Sequence, residues 1–387
     1  MTLAVIQSRP LMCYNGKFYL RNYSDFVKYG KLCDRFIYCA SVLNIKDFDT
    51  VKDLKPQSDF PNSKIVEVKK APLRELFSIS SFNKTQLKKV INEADIVVIK
   101  TPSITVGKWA CEYVKKIGKE YILEVIACAW DSYWYHDIKG KIMAPYSFWN
   151  AKRMIGSAKY VIYVTDKFLQ RRYPTKGRSI GCSNVVLGPA DETILTDRQE
   201  KIKAFNPKGR INIGTAGAVY VKFKGQQYVI EALAQLVSEG YDYHYYLAGG
   251  GDNRRLKAIA EKYSLTDRVH FLGMVPRDKM TDFYRSLDIY IHPSLAEGLP
   301  RVLIEAERQA LPACGANASG TPELLDDEFV FNKKSAKDIC RVLKKFSKDV
   351  MLEQSKKNFE RSKLYSTEVL DNRRKEFYSE IITKSKE

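Results

Sequence analysis

A chain of 387 residues is longer than one hydrophobic core usually organises, so its length favours two domains. Its 45% hydrophobic and 28% charged residues are ordinary for a globular protein and exclude the disordered and low-complexity classes. The 64 Lys and Arg against 45 Asp and Glu give a net charge of +19, which attracts polyanions such as nucleic acid, phospholipid head groups or phosphorylated substrates without choosing among them.

The first residues and the cysteines both bear on the compartment. The opening stretch MTLAVIQSRPLMCYNGKFY lacks a basic leader followed by a long apolar run, and no run in the chain approaches the roughly 18 apolar residues of a membrane span. The 8 cysteines never approach CxxC spacing, and several lie inside apolar runs, as reduced core thiols do. We therefore expect a cytoplasmic protein.

The first half alternates short β-branched and aromatic runs with longer amphipathic stretches, which is typical of βαβ units that build a parallel sheet. The predicted strands are Thr2–Gln7, Arg35–Val42, Lys64–Val68, Asp95–Lys100, Tyr121–Ala127 and Lys159–Val164. The predicted helices between them include Lys84–Glu93 and Val106–Ile117. We expect one open α/β sheet.

The second half restarts this alternation and predicts another doubly wound domain. Its predicted strands are Ile211–Thr215, Tyr243–Ala248, Val269–Leu272, Ile289–His292 and Pro312–Gly315. Its predicted helices are Gln226–Val237, Asn253–Tyr263, Lys279–Ser286 and Pro300–Gln309.

Two polar stretches set the predicted domain boundaries. The stretch 192–210 has few apolar residues and ends in a Pro-Lys-Gly turn before a fresh strand, so it is interpreted as the interdomain linker. An apolar stripe at helical spacing near the end, including Phe377 and Ile381, predicts a terminal helix. The predicted domains are 1–205 and 206–365, with a helix at 366–387 that can cross back to the first.

The most informative segment runs from His292 to Leu325 and reads as strand, loop, helix, strand and loop. Pro300 is placed as the first helical residue, and a helix start with exposed amides is a site for anions such as a nucleotide diphosphate. Glu305 then falls about 7 Å further along the helix axis, where its carboxylate can accept hydrogen bonds from both ribose hydroxyls. Glu297, in the loop, faces the group that is bonded to the distal phosphate, and a sugar is the obvious candidate for that group. The alternative is that both are surface carboxylates of an ordinary amphipathic helix.

This segment resembles the signature of the group 1, family-four retaining glycosyltransferases, in which two glutamates flank seven residues after a strand and a Gly-Phe-Pro-like turn. Here EGLP at 297–300 and EA at 305–306 fall in register, and GTPEL at 320–324 is similar to the family's following Gly-x-Pro-Glu turn. The resemblance implies a GT-B-like α/β fold of two Rossmann-like domains that face a cleft. The donor is then held by residues 211–325, and the acceptor by the first domain.

The resemblance extends upstream. GAVYVKFKG at 217–225 is similar to the family's Gly-Arg-Leu turn ending in Lys-Gly, and YLAGGGDNRRL at 246–256 to its glycine turn. Lys224 then matches the lysine that grips the donor diphosphate, a role that suits a flexible ammonium, whereas the alternative is a solvated loop lysine. One departure matters, because the family's phosphate-binding arginine after the glycine is Ala218 here. The implied donor-binding residues are Gly217, Lys224, Gly225, Gly298, Leu299, Pro300 and Glu305.

In the first half the resemblance is thinner. The family often places a histidine after a mid-domain strand, and ACAWDSYWYHDIKG at 127–140 offers Asp131 and His136 at about that place as acceptor-side residues. The alternative is an aromatic loop that packs on the acceptor cleft or closes the sheet. No metal site is expected, because the four histidines are isolated and Lys224 with a helix start can neutralise the diphosphate. The DFD triplet at 47–49 is therefore interpreted as a decoy.

By this resemblance the protein is a metal-independent retaining glycosyltransferase with Glu297 and Lys224 as catalytic residues. It needs no cofactor besides a UDP- or GDP-sugar donor, and its acceptor is a glycan or lipid-linked molecule of a bacterial surface polysaccharide. The alternatives left open are a nucleotide-sugar epimerase or hydrolase on the same scaffold and a non-catalytic nucleotide-sugar-binding protein. A specific nucleic-acid partner is not expected, because no recognition motif is present.

The segment 64–91 predicts a further partner. It interleaves Lys and Arg residues with Leu73, Leu76, Phe77 and Phe82, a composition that suits an anionic membrane surface. The protein would then lie peripherally on the inner face of the membrane, beside a lipid-linked acceptor. The alternative is that the apolar residues face the sheet and the lysines are merely solvated.

Overall fold

The computed structural model describes residues 1–7, 9–20, 23–52, 54–69 and 79–384. The chain divides into two compact units, one comprising Met1–Asn184 and Asp371–Glu387 and the other Val185–Leu370. The division falls at 184/185 instead of the predicted 205/206. The reason is that the predicted linker is largely a helix, Glu192–Lys203, capped by the Asp191 side chain, with Arg198 and Ile202 buried.

The first unit is built on parallel strands with helices between them. Its strands are β1 Thr2–Ile6, β2 Leu11–Tyr14, β3 Lys17–Tyr19, β4 Arg35–Ala40, β5 Val42–Asn44, β6 Ser63–Glu67, β7 Ile96–Thr101, β8 Tyr121–Val125, β9 Tyr160–Tyr163 and β10 Arg178–Gly181. Its helices are α1 Tyr23–Leu32, α2 Ser81–Glu93, α3 Val106–Lys116, α4 Asp131–Trp134, α5 Ile138–Gly156 and α6 Phe168–Arg172.

Seven of these strands form one sheet in the order β10-β9-β8-β7-β1-β4-β6, and its pairs are parallel. Every residue of β7, β8 and β9 is buried, as expected for strands covered by helices on both faces. The order reverses between β1 and β7, which makes their carboxyl ends the topological switch point of this sheet. Three short strands form a separate sheet, β3-β2-β5, that the sequence pattern did not predict.

The second unit repeats the same design. Its strands are β11 Arg210–Ala216, β12 Asp242–Ala248, β13 Val269–Gly273, β14 Ile289–His292, β15 Ala313–Ala316 and β16 Val330–Phe331. Its helices are α7 Glu192–Lys203, α8 Gln226–Ser238, α9 Arg254–Lys262, α10 Met280–Ser286, α11 Arg301–Arg308, α12 Ala336–Leu343 and α13 Lys348–Lys363. The six strands are parallel in the order β13-β12-β11-β14-β15-β16, which is that of a Rossmann sheet, and the switch point lies between β11 and β14.

A last helix, α14 Thr367–Lys384, begins in the second unit and belongs to the first from Asp371 onward. There Arg373 Nη1 donates to Gly181 O at 2.8 Å, and the Phe377 ring lies 6.2 Å from that of Tyr160, centroid to centroid. The chain therefore completes its first unit with its last helix.

The predicted α/β architecture of two doubly wound sheets is confirmed, and most predicted strands lie within two residues of the observed ones. The helix predicted from Pro300 begins one residue later at Arg301, because Pro300 has the extended backbone of a cap, with φ −73° and ψ 102°. Nothing in the described residues forms a helix long and apolar enough to cross a membrane.

Part of the predicted membrane-binding segment 64–91 can be described. Residues 70–78 lie outside the described residues. In the described part, Leu87 and Val90 are buried, and Lys69 Nζ lies 4.5 Å from the centroid of the Phe82 ring. The membrane role of this segment stays a prediction.

Candidate active site

The loops that follow β11 and β14 carry the predicted donor-site residues. The two strands are neighbours, so these loops leave the same edge of the second sheet at its switch point. Ligands of open α/β sheets bind at this place, because the loops diverge there and leave a crevice. The fold therefore brings together two sequence segments that are about 70 residues apart.

Two hydrogen bonds and one close backbone approach hold the two loops against each other. The Leu295 amide donates to Phe223 O at 2.8 Å, and Ser294 Oγ donates to the same oxygen at 3.4 Å. Gly225 has φ +74°, and a Cβ at this position would lie 2.0 Å from Pro293 O. Only glycine combines this left-handed backbone with so close an approach. The turn that ends at Gly225 therefore aims Lys224 at the loop after β14.

Lys224 and Glu297 form an ion pair at this point. Lys224 Nζ lies 2.6 Å from Glu297 Oε1, and the two side chains are 23% and 18% exposed. His292 Nε2 lies 3.5 Å from the same carboxylate oxygen. Burial favours the neutral acid, but Lys224 and His292 outweigh it and hold the pKa of Glu297 well below its usual range. The carboxylate is therefore ionised at neutral pH.

A third loop supports Glu297. The Glu297 amide donates to Ser319 Oγ at 3.3 Å, and the Gly320 amide donates to Gly298 O at 3.0 Å. Both partners belong to the turn after β15, which is the sequence GTPEL and its preceding serine. Leu299 is buried beneath the loop. The turn after β15 thus holds Glu297 and Gly298 in place, in addition to the contact of Glu297 with Lys224.

Glu305 lies on α11, on the side of Tyr284. Tyr284 Oη donates to Glu305 Oε2 at 3.1 Å. Burial raises the pKa of Glu305, while the Tyr284 hydrogen bond and the positive charges of Arg301 and Arg277 oppose that rise. The carboxylate is positioned, and it retains acceptor capacity beyond its one hydrogen bond to tyrosine.

Gly217 follows β11 directly. Its carbonyl oxygen accepts from Gln226 Nε2 at 3.0 Å, and its amide donates to Ala248 O at 2.8 Å. Gln226 is fully buried, so its amide fixes the path of the glycine turn. Ala218, where the resembled family has arginine, contributes no charge here, and Lys222 lies in the same turn as Lys224.

Several residues of the site escaped the sequence analysis. His292 is one of the four histidines described above as isolated, and it is 1% exposed, but it contacts the catalytic candidate Glu297. Tyr284, Ser319 and Gln226 were not singled out. The one available signal was that His292 ends a strand five residues before Glu297, since residues at the carboxyl end of a switch-point strand face the site.

The acceptor-side candidates lie in the first unit. Asp131 begins α4, and the His136 side chain is exposed, with Nδ1 3.2 Å from Asp137 Oδ2. Between them, Ser132 and Tyr133 help to line a cavity of about 240 Å³. The other lining residues lie at the carboxyl ends of β1, β7 and β8 and include Gln7, Arg9, Lys100, Pro102, Ile126 and Ala127. The cavity thus opens at the switch point of the first sheet.

The DFD triplet has a local structural role. Asp47 Oδ1 accepts from the Asp49 amide at 3.0 Å, and Asp49 Oδ1 lies 3.1 Å from Lys52 Nζ. Among the residues that the structure describes, no group of three or more His, Cys, Asp or Glu side chains is arranged to hold a metal ion.

Comparisons with known proteins agree with this geometry. Residues 197–363 match the family model of glycosyl transferases group 1. The chain is similar to protein CapJ of Staphylococcus aureus, with 28% identity over 363 residues that cover 92% of this chain and 88% of CapJ. It is 32% identical over 110 residues, 27% of each chain, to the putative colanic acid biosynthesis glycosyltransferase WcaL of Salmonella typhimurium.

A solved structure extends the likeness to both units. HepE of Anabaena, determined in complex with UDP-glucose, superposes with a TM-score of 0.66 at 15% identity, covering 98% of this chain and 100% of HepE. This match confirms the predicted GT-B class of fold. The family model spans the loops that carry Lys224, Glu297 and Glu305, so the second unit of this chain is similar to the glycosyl transferases of group 1 in the part that holds the candidate site.

Proposed function

We propose that this glycosyltransferase moves a sugar from a UDP- or GDP-sugar to a glycan or lipid-linked acceptor, with retention of the anomeric configuration. The observation that carries the proposal is the 2.6 Å contact between Lys224 and Glu297 at the switch point of the second sheet. This contact supports the proposal, because a cation that can bind a diphosphate lies beside an ionised carboxylate that can accept hydrogen bonds from sugar hydroxyls.

Lys224 is the proposed ligand of the donor diphosphate. An ammonium has three N–H donors, so its one hydrogen bond to Glu297 leaves capacity for phosphate oxygens. The first turn of α11, beginning at Arg301, adds the partial positive charge of a helix start. Together they stabilise the negative charge that develops on the diphosphate as it leaves.

Glu297 is the proposed ligand of the donor sugar. Its ionised carboxylate accepts hydrogen bonds from sugar hydroxyls and sets the angle at which the anomeric carbon meets the acceptor. Lys224, His292 and the Ser319 contact to its amide hold the carboxylate in one orientation. This role is positional and requires no covalent intermediate with the enzyme.

Glu305 is the proposed ligand of the ribose. The two glutamates are held by different residues. Tyr284 donates a hydrogen bond to Glu305 on α11, and Lys224 donates one to Glu297 in the loop. Two vicinal hydroxyls can donate to one carboxylate, which has four lone-pair sites. The nucleoside half of the donor is thus bound by the helix and the sugar half by the loop.

The first unit is the proposed acceptor domain. Its 240 Å³ cavity lies at a switch point and is flanked along the chain by Asp131 and His136. HepE binds UDP-glucose, and WcaL is named for colanic acid biosynthesis, so a UDP-sugar and a bacterial surface glycan are the first substrates to try.

A second candidate function is a nucleotide-sugar sensor without turnover, which Ala218 favours because it removes one phosphate-binding charge. An epimerase or hydrolase on the same scaffold is the remaining alternative. Turnover of donor without any acceptor would assign that activity.

The test begins with a thermal-shift screen of UDP-, GDP- and ADP-sugars. The donor that stabilises the protein is then incubated with candidate acceptors, and the product's anomeric configuration is read by NMR. We expect a retained configuration and undiminished turnover in chelator. Tight donor binding without transfer to any acceptor would favour the sensor, and loss of turnover in chelator with recovery in manganese would contradict metal independence.

A further inference from the structure

The first unit exposes an apolar stripe that the proposed catalytic site does not use. Trp134, Ile138, Ile142 and Trp149 are 37%, 78%, 74% and 57% exposed. Ile138 and Ile142 are the two most exposed large apolar side chains in the part of the chain that the structure describes. These four residues are called the α4–α5 ridge below.

The ridge follows from the spacing of apolar residues in α5. Ile138, Ile142 and Trp149 recur at four and seven residues, so they fall on one line of the helix. The residues two positions after each of these three lie about 200° around the helix axis from them, and they pack inward. The buried residues of that inward face include Gly140, Ala144, Ser147 and Ala151. The helix therefore buries one apolar face and presents another to its surroundings.

The ridge has a fixed backbone. Asp137 Oδ1 caps α5 by accepting from the Gly140 amide at 2.6 Å. A Cβ at Gly140 would lie 2.2 Å from Tyr133 O, so glycine lets α5 start in direct contact with α4. Trp134 on α4 also stacks on Trp130 with ring centroids 5.2 Å apart. The exposed side chains are thus carried on packed helices.

Basic residues border the ridge. α5 carries Lys139, Lys141, Lys152 and Arg153, and it contains no acidic residue. Lys141 Nζ lies 5.8 Å from the Trp134 ring centroid, and the Arg153 guanidinium lies 5.2 Å from that of Trp149. The nearby acids are Asp131 in the first turn of α4, Asp137, which caps α5, and Glu112, whose Oε1 lies 3.3 Å from Arg153 Nη2. The surface is positive around an apolar centre.

We propose that the α4–α5 ridge docks the protein on a bilayer that contains anionic phospholipid. Isoleucine side chains enter the acyl boundary, tryptophans settle at the interface, and lysines beside them meet phosphate head groups. Each such lysine contributes on the order of 1 kcal/mol on an acidic membrane. This surface is distinct from the segment 64–91 that the sequence singled out.

Charge complementarity selects this partner over a second copy of the chain. In a two-fold dimer the same patch meets itself, which would bring the basic borders of two ridges together. An anionic bilayer instead offers opposite charge along the whole length of the helix. The net charge of +19 points the same way, since it disfavours self-association and favours an acidic surface.

The position of the ridge fits the proposed acceptor. Ser132 and Tyr133 of α4 line the cavity at the switch point, and Trp134 is the next residue of the same helix. Docking would therefore bring the cavity to the membrane surface, where a lipid-linked acceptor is presented. This last step rests on the proposed function, whereas the docking itself does not.

The test measures sedimentation of the full chain with vesicles, without donor or acceptor. The vesicles are phosphatidylcholine alone or with about 30% phosphatidylglycerol, in unlabelled and acyl-brominated form. Three double variants are compared with the parent protein. They are Ile138→Ser with Ile142→Ser, Lys139→Glu with Lys141→Glu, and a control, Ile117→Ser with Leu364→Ser, which removes apolar residues that are 41% and 59% exposed elsewhere.

We expect the parent protein and the control to bind only acidic vesicles, with brominated chains quenching tryptophan fluorescence. The Ile138/Ile142 and Lys139/Lys141 variants should bind about tenfold more weakly and melt at the parent temperature. Binding that is insensitive to the serine changes would overturn the proposal and leave net charge alone as its cause. A parent dimer that these changes abolish in sedimentation velocity would assign the ridge to a second copy.

Discussion

Glu297 and Glu305 have different neighbours, so their substitution should have different consequences. Glu297 contacts Lys224 and His292 in a loop, whereas Glu305 contacts Tyr284 on a helix. In the proposed function, the contacts of Glu297 lie at the sugar and phosphate end of the donor, and the contact of Glu305 lies at its nucleoside end. Each assignment can be measured separately.

Glu297→Gln should lower kcat by about 100-fold while the Kd for the bare nucleoside diphosphate changes little, because the amide keeps the shape but loses the ionised acceptor. Steady-state kinetics and calorimetry give the two numbers. Glu328→Gln, an exposed glutamate of the same unit, is the control. If binding and turnover fell together, the separation of roles would be wrong.

Glu305→Ala should weaken binding of the bare nucleoside diphosphate by roughly tenfold without changing the preferred sugar, because its proposed partners are ribose hydroxyls. The companion variant Tyr284→Phe removes the anchoring hydrogen bond and keeps the carboxylate, so its effect on affinity should be smaller. Calorimetric titration of both variants checks the order. Unchanged affinity in Glu305→Ala would contradict the ribose assignment.

The candidate site residues that the sequence singled out belong to short local motifs. Glu297, Pro300 and Glu305 lie within one short stretch, and Lys224 precedes a glycine. Tyr284 and Ser319 could not be predicted in the same way, because they come from other elements and meet the glutamates only after the sheet has formed. Contacts that form only in the folded structure leave no recognisable spacing pattern in the sequence.

At the scale of elements, the turn 222–225 decides where Lys224 points. Gly225 and Gly240 both have positive φ, at +74° and +89°, but only a Cβ at Gly225 would collide, with Pro293 O at 2.0 Å. Each alanine variant should cost about 1 kcal/mol of unfolding free energy for the left-handed backbone. Gly225→Ala should in addition displace the loop and lower turnover by at least about tenfold, while Gly240→Ala keeps full activity. Equal activities in the two variants would contradict this role.

α11 carries a buried glutamate as well as Glu305. Arg361 Nη1 lies 2.9 Å from Glu307 Oε1, and Arg361 Nη2 lies 3.2 Å from Asp326 Oδ1, so one guanidinium serves two carboxylates. Burial raises the pKa of Glu307 to about 8, and Arg361 only partly opposes it. In the folded state Glu307 therefore holds its proton at neutral pH.

This raised pKa makes stability depend on pH. Between the unfolded value near 4.5 and the folded value of about 8, the folded state binds more protons, so the free energy of unfolding falls as pH rises and levels off above that window. Relative to Glu307→Gln, the parent protein should lose roughly 3 kcal/mol between pH 5.5 and 8. Urea unfolding of both proteins checks this. Parallel pH profiles would show that Arg361 keeps the carboxylate ionised.

The strands with long apolar runs were predicted, whereas two helices with less regular patterns were missed. β7, β8 and β14 are buried throughout and mostly apolar, with exceptions such as Lys100, Glu124 and His292, and their predicted bounds were close to the observed ones. α5 was missed because it is apolar on two faces and contains Pro145, so it shows no polar side at helical spacing. The stretch 192–210 was interpreted as a linker because it has few apolar residues, and in the helix that forms there only Arg198 and Ile202 are buried.

At the scale of the molecule, the chain divides into two compact units, and this division lies about 20 residues before the domain boundary predicted from the sequence. Polarity alone marks exposed chain, and an exposed helix such as α7 is as polar as a linker. Arg198 shows the difference, since its guanidinium donates to the backbone oxygens of Tyr284 and Leu287. A charged residue that is buried in this way cannot be recognised from composition.

The path of α14 has a consequence for how the protein is made. The first unit is interrupted by residues 185–370 and needs Phe377, Tyr378 and Ile381, which are buried, to complete it. A ribosome adds roughly 5 to 20 residues per second, so the nascent first unit waits for roughly 10 to 40 s before this helix emerges. The second unit is one uninterrupted stretch, and its helix α13 is made only at the end of that interval. The earlier segment therefore spends the wait with the apolar surface that receives α14 uncovered, where a chaperone can bind it.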